Sequence, residues 1–197
     1  MKKKTTALIL ACILILGVVI GGTVAWIVDV TGEVQNVFVI GDINIELWEH
    51  QANADGTLSE TVVKEGETNT YAFVPGDVLK KDPTVTVKAG SEACYLFVKV
   101  TEENNTFDTD KKVLTYAIDA GWTEYADGVY YKVIGAATAE DTPHNILAET
   151  QVTVNGDITK ADVTTMTAAK PALKFKAAAV QKDNIATVQD AFAKIEW

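Results

Sequence analysis

Apolar residues recur at every second position through much of this chain, the period of a strand with one buried face. In Asp42–Trp48, Ile43, Ile45 and Leu47 share one face while Asn44 and Glu46 take the other. In Thr84–Lys88, Val85 and Val87 point together. In Cys94–Val100, Cys94, Leu96, Val98 and Val100 form one face, and Tyr95, Phe97 and Lys99 the other. Val129–Ile134 and Leu173–Val180 repeat the habit, and Gln151–Val154 is a shorter example.

Turn residues separate these segments. Asp55-Gly56, Asp127-Gly128 and Asn155-Gly156 are tight-turn pairs, because Gly, Asn and Asp tolerate positive φ. Pro75-Gly76-Asp77 reads as a turn with proline pre-set at its second position. Asp127-Gly128 is expected to join Trp122–Tyr125 to Val129–Ile134 as a hairpin. Strands and turns at this density predict an all-β fold, an antiparallel β-sandwich.

Two short helices are expected beside the strands. Thr142-Pro143 reads as an N-cap followed by proline at the first helical position, opening a helix over His144–Glu149. Near the C-terminus, Thr187 with Asp190 three residues on has the form of a cap, and Val188, Ala191, Phe192 and Ile195 then share a face.

The first thirty residues follow a different pattern. Lys2, Lys3 and Lys4 precede an apolar run, Ala7–Ile20, and a small-residue exit, Gly21-Gly22-Thr23-Val24-Ala25. That is the layout of an export signal, a signal helix at residues 1–25 with cleavage expected between Ala25 and Trp26. The lysines resist translocation, so the rest of the chain faces outward. Residues 26–197 then form a single β-sandwich domain. No charge falls between Lys4 and Asp29, and an apolar stretch of about 20 residues spans a bilayer, so a retained anchor is the alternative. Cys12 lies too early, inside the apolar run, to serve a lipoprotein box.

Charge and cysteine usage narrow the function. The formal charge is −10, and losing Lys2, Lys3 and Lys4 lowers it to −13. So acidic a surface repels nucleic acid and anionic lipid, leaving membrane contact to residues 1–25. Only Cys94 remains beyond the signal, so no internal disulfide forms and the domain rests on its own core. Cys94 shares a strand face with Leu96 and Val98, the setting of a packed thiol rather than a nucleophile.

Candidate chemistry is sparse. A zinc protease wants His-Glu-x-x-His, and this chain has only His50 and His144, far apart and read as solvent-exposed. Asp108-Thr109-Asp110 and the Asn53–Glu60 loop bring carboxylates together, but neither has the calcium-loop spacing. Phosphate loops and serine elbows are absent, and no residue pattern implies a cofactor.

Several blocks, in order, resemble one family. They are Gly21–Trp26, Asn36-Val37-Phe38, Gly41–Leu47, Val74–Asp77, Lys81–Val85, Ala93–Val100 and Ala178–Gln181 before the C-terminal helix. The chain is similar to TasA and camelysin-like proteins, exported subunits of Gram-positive biofilm matrix processed by a SipW-type signal peptidase. The resemblance implies a jelly-roll-like sandwich, secretion to the extracellular matrix or cell surface, and assembly with copies of itself or homologous subunits into a fibre. It implies a structural role and no enzyme activity. In such fibres the freed N-terminal strand completes a neighbour's sheet, which assigns Trp26, Ile27, Val28, Asp29 and Val30 as a donor strand. Trp26, Val28 and Val30 would enter the groove while Ile27 and Asp29 face outward. Two alternatives accompany this reading. One is a monomeric cell-surface module holding a carbohydrate or a protein through Trp48, Trp122 and Tyr130. The other is a camelysin-like metallopeptidase, for which no metal-ligand motif is present.

Overall fold

The computed structural model describes residues 42–197 other than Thr109, Thr138 and Ala169. The expected signal helix, the Ala25–Trp26 junction and the donor segment Trp26–Val30 lie outside the described residues.

The described chain is mostly strand, and every pairing is antiparallel. It runs through β1 (Ile45–Ala52), β2 (Leu58–Lys64), β3 (Val78–Lys80), β4 (Thr84–Val87), β5 (Cys94–Glu103), β6 (Thr106–Phe107) and β7 (Lys111–Lys112). Then come β8 (Leu114–Thr115), β9 (Thr123–Ala126), β10 (Val129–Ile134), β11 (Thr142–Asn145) and β12 (Gln151–Val154). Helix α1 (Lys160–Ala168), β13 (Ala172–Gln181) and helix α2 (Val188–Phe192) complete it.

Two four-stranded sheets carry the fold. One has the order β11-β4-β1-β2 and the other β13-β5-β10-β9. Their facing residues share one core: Val85 and Val87 of β4 meet Leu96 and Val98 of β5, all at 0% exposure. The second sheet is covered on its other face too. Tyr95 and Phe97 of β5 pack there with Val129 of β10 and Ala191 of α2. Both faces of β5 are therefore buried, which is why its sequence reads as an unbroken apolar run from Cys94 to Val98. A smaller sheet, β3-β12-β8, shelters a separate cluster of Leu79, Phe107, Val113, Val154 and Ile158.

The predicted hairpin forms as β9–β10 around Asp127-Gly128. Gly128 has φ 69°, and a Cβ there would sit 2.7 Å from the Val100 carbonyl oxygen, so the turn requires glycine. The Pro75-Gly76 turn is also present: Asp77 donates its N–H to the Val74 carbonyl at 3.2 Å and Gly76 takes φ 92°.

One expected helix is corrected. Residues 142–145 form β11, an edge strand on β4 with Thr142 opposite Val87 and Asn145 opposite Thr84. Only a single 3-10 turn, Ala148–Thr150, follows. The Trp122 indole N–H donates to the Asn145 carbonyl at 2.7 Å, and the Ile146 N–H to Pro83 at 2.9 Å. A six-residue helix is marginal alone, and sheet pairing outweighs a local cap signal. The second helix forms as α2, with the Thr187 hydroxyl accepting the Asp190 N–H at 3.1 Å. Helix α1 is not among the expected elements, although Thr159 and Asp162 carry the same cap pattern, with the Thr159 N–H and hydroxyl donating to Asp162 Oδ2 at 2.8 and 2.6 Å.

Candidate functional site

β13 pairs with β5 at ten consecutive positions, Ala172 opposite Glu103 through Gln181 opposite Cys94, with no bulge. Its other side has no strand neighbour among the described residues. The other outer strands of the two large sheets differ. β11 carries Pro143, β9 is four residues long with an irregular register, and the β1–β2 pairing shifts between His50 and Ala52. Short, bulged or proline-bearing edges resist adding a strand, whereas a long regular edge invites one.

A cleft of about 1010 Å³ opens between this edge and strands β1 and β2. Ile45 and Leu47 of β1, Val63 of β2 and Leu173, Phe175 and Ala177 of β13 line it. These residues point inward by strand parity, yet all six stay only partly buried. β4 and β5, by contrast, hold their inner residues at or near 0% exposure.

One ion pair sits in the cleft wall. Glu49 follows Ile45 and Leu47 on the inner face of β1, and its Oε2 lies 2.6 Å from Lys81 Nζ. Their side chains are 11% (Lys81) and 13% (Glu49) exposed. Lys81 Nζ also lies 4.8 Å from the Tyr71 ring centroid and 5.4 Å from that of Phe175, so aromatic faces supplement the carboxylate. Burial pushes the Tyr71 phenol well above its usual range, with Glu49 and Asp82 adding to the effect.

The opposite face of β1 is polar and ordered. His50 Nδ1 lies 2.6 Å from Asp82 Oδ2, and the His50 N–H donates to Asp82 Oδ1 at 2.9 Å. The Trp48 indole N–H donates to Thr86 Oγ1 at 2.8 Å. Glu46 bonds Lys64 and lies 2.7 Å from Lys88, which reaches Asp141 at 3.0 Å, a charge ladder across all four strands. The hydrogen bond from Lys64, then that from Lys88, holds the Glu46 carboxyl below its usual range.

The histidines are not the free surface groups expected. His50 is engaged by Asp82, and His144, opposite Val85 on β11, is partly buried with no hydrogen-bond partner on Nε2. Burial, then the Lys132 charge, lowers the His144 pKa. Cys94 is fully buried, as its strand face implied, and burial pushes its thiol up to about 11. Of the two acidic loops, one has a cation beside it, Lys111 at 3.5 Å from Asp108, while in the other the Asp55 carboxylate accepts the Thr57 N–H and hydroxyl at 3.0 and 2.6 Å. Among the described residues no three His, Cys, Asp or Glu side chains gather to hold a metal ion. No described helix is long and apolar enough to cross a membrane. Trp122 is 7% exposed, and Tyr130 packs on the core, so neither offers the exposed aromatic surface expected of it.

Fold and cleft together define the class: an all-β protein of packed antiparallel sheets with one long sheet edge left open. No protein-family model, curated protein or solved structure matches the chain.

Sequence reasoning missed the open edge and the Glu49–Lys81 pair. A signal for the pair was present, since Glu49 continues the inward phase of Ile43, Ile45 and Leu47.

Proposed function

We propose that this protein is a non-enzymatic structural subunit of an extracellular fibre or matrix, and that its β13 edge accepts a strand from a neighbouring subunit. The observation that carries this reading is the ten-residue regular edge of β13 above a cleft whose inner residues remain half-covered. An added strand supplies main-chain hydrogen bonds to the edge and side chains to the cleft. Trp26, Val28 and Val30 each stand to gain about 1.5–3 kcal/mol by leaving water.

In this reading the sandwich is of jelly-roll type and the incoming strand completes it. A SipW-type signal peptidase frees Trp26 by cutting after Ala25, so assembly waits for export to the matrix or cell surface. The partners are copies of this chain or homologous subunits. Membrane contact is confined to residues 1–25, and the acidic surface disfavours nucleic acid. The alternative, a surface module holding a carbohydrate or a protein through Trp48, Trp122 and Tyr130, has less support. Trp122 is 7% exposed and Tyr130 packs on the core, while Trp48 is partly buried with its indole N–H on Thr86.

Electron microscopy of protein beginning at Trp26 tests the proposal. Filaments are expected, with none when residues 26–30 are deleted or when Ala177→Phe fills the cleft. Filaments that persist in both variants, with an unchanged circular dichroism spectrum, would overturn it.

A further inference from the structure

The two histidines of the chain meet opposite surroundings. His50 Nδ1 lies 2.6 Å from the Asp82 carboxylate, so a proton on that ring completes an ion pair. His144 stands on β11 opposite Val85, and its Nε2 is buried without a hydrogen-bond partner. A neutral imidazole leaves one ring nitrogen bare, whereas an imidazolium carries N–H on both. Protonation of His144 therefore sets a charged donor at Nε2 where nothing accepts it, a costly arrangement away from water.

The nearest fixed charge makes that arrangement worse. On β10, Lys132 shares the parity of Tyr130 and Ile134, which pack on the core, and its side chain is only 16% exposed. Lys132 Nζ lies 4.8 Å from the Trp122 ring centroid and 3.5 Å from Asp119 Oδ1. A Cβ on Gly121 would sit 2.7 Å from that nitrogen, so the ammonium is closely packed and has little room to swing away. Its charge bears on His144, and no carboxylate offsets it there. Asp119 is engaged by Lys132 and by the Gly121 N–H at 3.0 Å. β4 brings no ionisable side chain to β11. Asp141, just before β11, is taken by Lys88 at 3.0 Å and by the Ala89 N–H at 2.9 Å. Burial, then Lys132, thus holds the His144 pKa below the ordinary imidazole value.

β11 is also a strand that can lift off by itself. It ends its sheet, pairs with β4 at four positions, and Pro143 has no N–H to contribute. Short edges of this kind open locally at less cost than the core. Once β11 is free, His144 is hydrated and takes its proton near an ordinary pKa of about 6.5. The advantage of the closed strand is complete above that value and is lost as pH falls below it. The anchor at Asp141 fails only in a lower window, because the Ala89 N–H and then Lys88 hold its carboxyl below the usual range.

We propose that His144 is an acid-sensitive latch: in mild acid it releases β11 from β4 and bares a second sheet edge, with Val85 and Val87 behind it. The latch needs no neighbouring subunit. Hydrogen exchange of the full chain at about pH 7.5 and about pH 5, read by mass spectrometry and corrected for intrinsic rates, tests it. Protection of residues 142–146 should fall several-fold in acid, and by no more than about thirtyfold, the limit an ordinary imidazole allows. Protection across β13 should hold. His144→Gln should abolish the fall, and Lys132→Met should shrink it. If His144→Gln does not fold, Lys132→Met decides alone. No fall in the unaltered chain, an equal fall in β11 and β13, or a fall unchanged by these substitutions would overturn the latch.

Discussion

β4 facing β5 and β1 facing β13 are two halves of the same core, built from the same alternation of apolar and polar residues. In the first half Val85, Val87, Leu96 and Val98 have no exposed surface. In the second, Ile45, Leu47, Phe175 and Ala177 keep part of theirs, and a buried ion pair stands where another apolar residue would fit. Local pattern is equal in the two halves, and the number of neighbouring strands is not. A strand with partners on both sides, such as β5, is enclosed, while β13 ends its sheet. The difference is one of sheet order, which no window of sequence encodes.

Substitutions separate the two halves by size of effect. Leu96→Ala should cost about 3–4 kcal/mol in chemical denaturation, because the surrounding sheets cannot collapse around the void. Breaking the cleft ion pair with Lys81→Ala should cost roughly 3 kcal/mol, since Glu49 is left with little water. The joint Lys81→Met, Glu49→Leu change should recover most of that loss. Leu47→Ala, on the open side, should cost about 1–2 kcal/mol, because part of its surface is already hydrated. Thr187→Ala removes the α2 cap and should cost about 1 kcal/mol, read as a lower melting temperature.

The smallest effect is expected from pH. The folded Glu46 carboxyl titrates below its unfolded value because Lys64 and Lys88 favour its charged form. Its contribution is complete above the unfolded pKa and is lost as pH falls through the folded one. Glu46→Gln should therefore lower stability slightly at neutral pH, leave it unchanged below the folded pKa, and so flatten the acid limb of the profile. An unaltered acid limb would show that the ladder contributes nothing measurable.

Where strands alternate regularly, the fold was legible from residue order alone. Cys94–Val100, Val129–Ile134 and Leu173–Val180 are strands as expected, and the opposite facing of Leu96 and Phe97 holds. β2 was missed because its Ser59-Glu60-Thr61-Val62-Val63 sequence alternates poorly on a partly solvated outer strand. His144–Glu149 misled because a proline after threonine fits an edge strand as well as a helix start. The cleft was illegible because it arises from distant strands, β1 and β13, and from a sheet edge with no strand neighbour among the described residues. The proposed donor segment Trp26–Val30 lies outside the described residues.

The long β5–β13 ladder also constrains the order in which the chain can mature. Glu103 must wait for Ala172, and Cys94 for Gln181, before either finds its partner. The cover over Phe97 arrives later still, with Ala191 and Phe192. A chain delivered N-terminus first thus presents Phe97 without its full cover, and the outer side of β5 without its β13 partner, until almost its last residue emerges. That interval is a hazard for self-association during synthesis. A truncation before residue 172 should leave a sticky intermediate rather than a smaller folded domain, and the C-terminus acts as the clasp that ends the exposure.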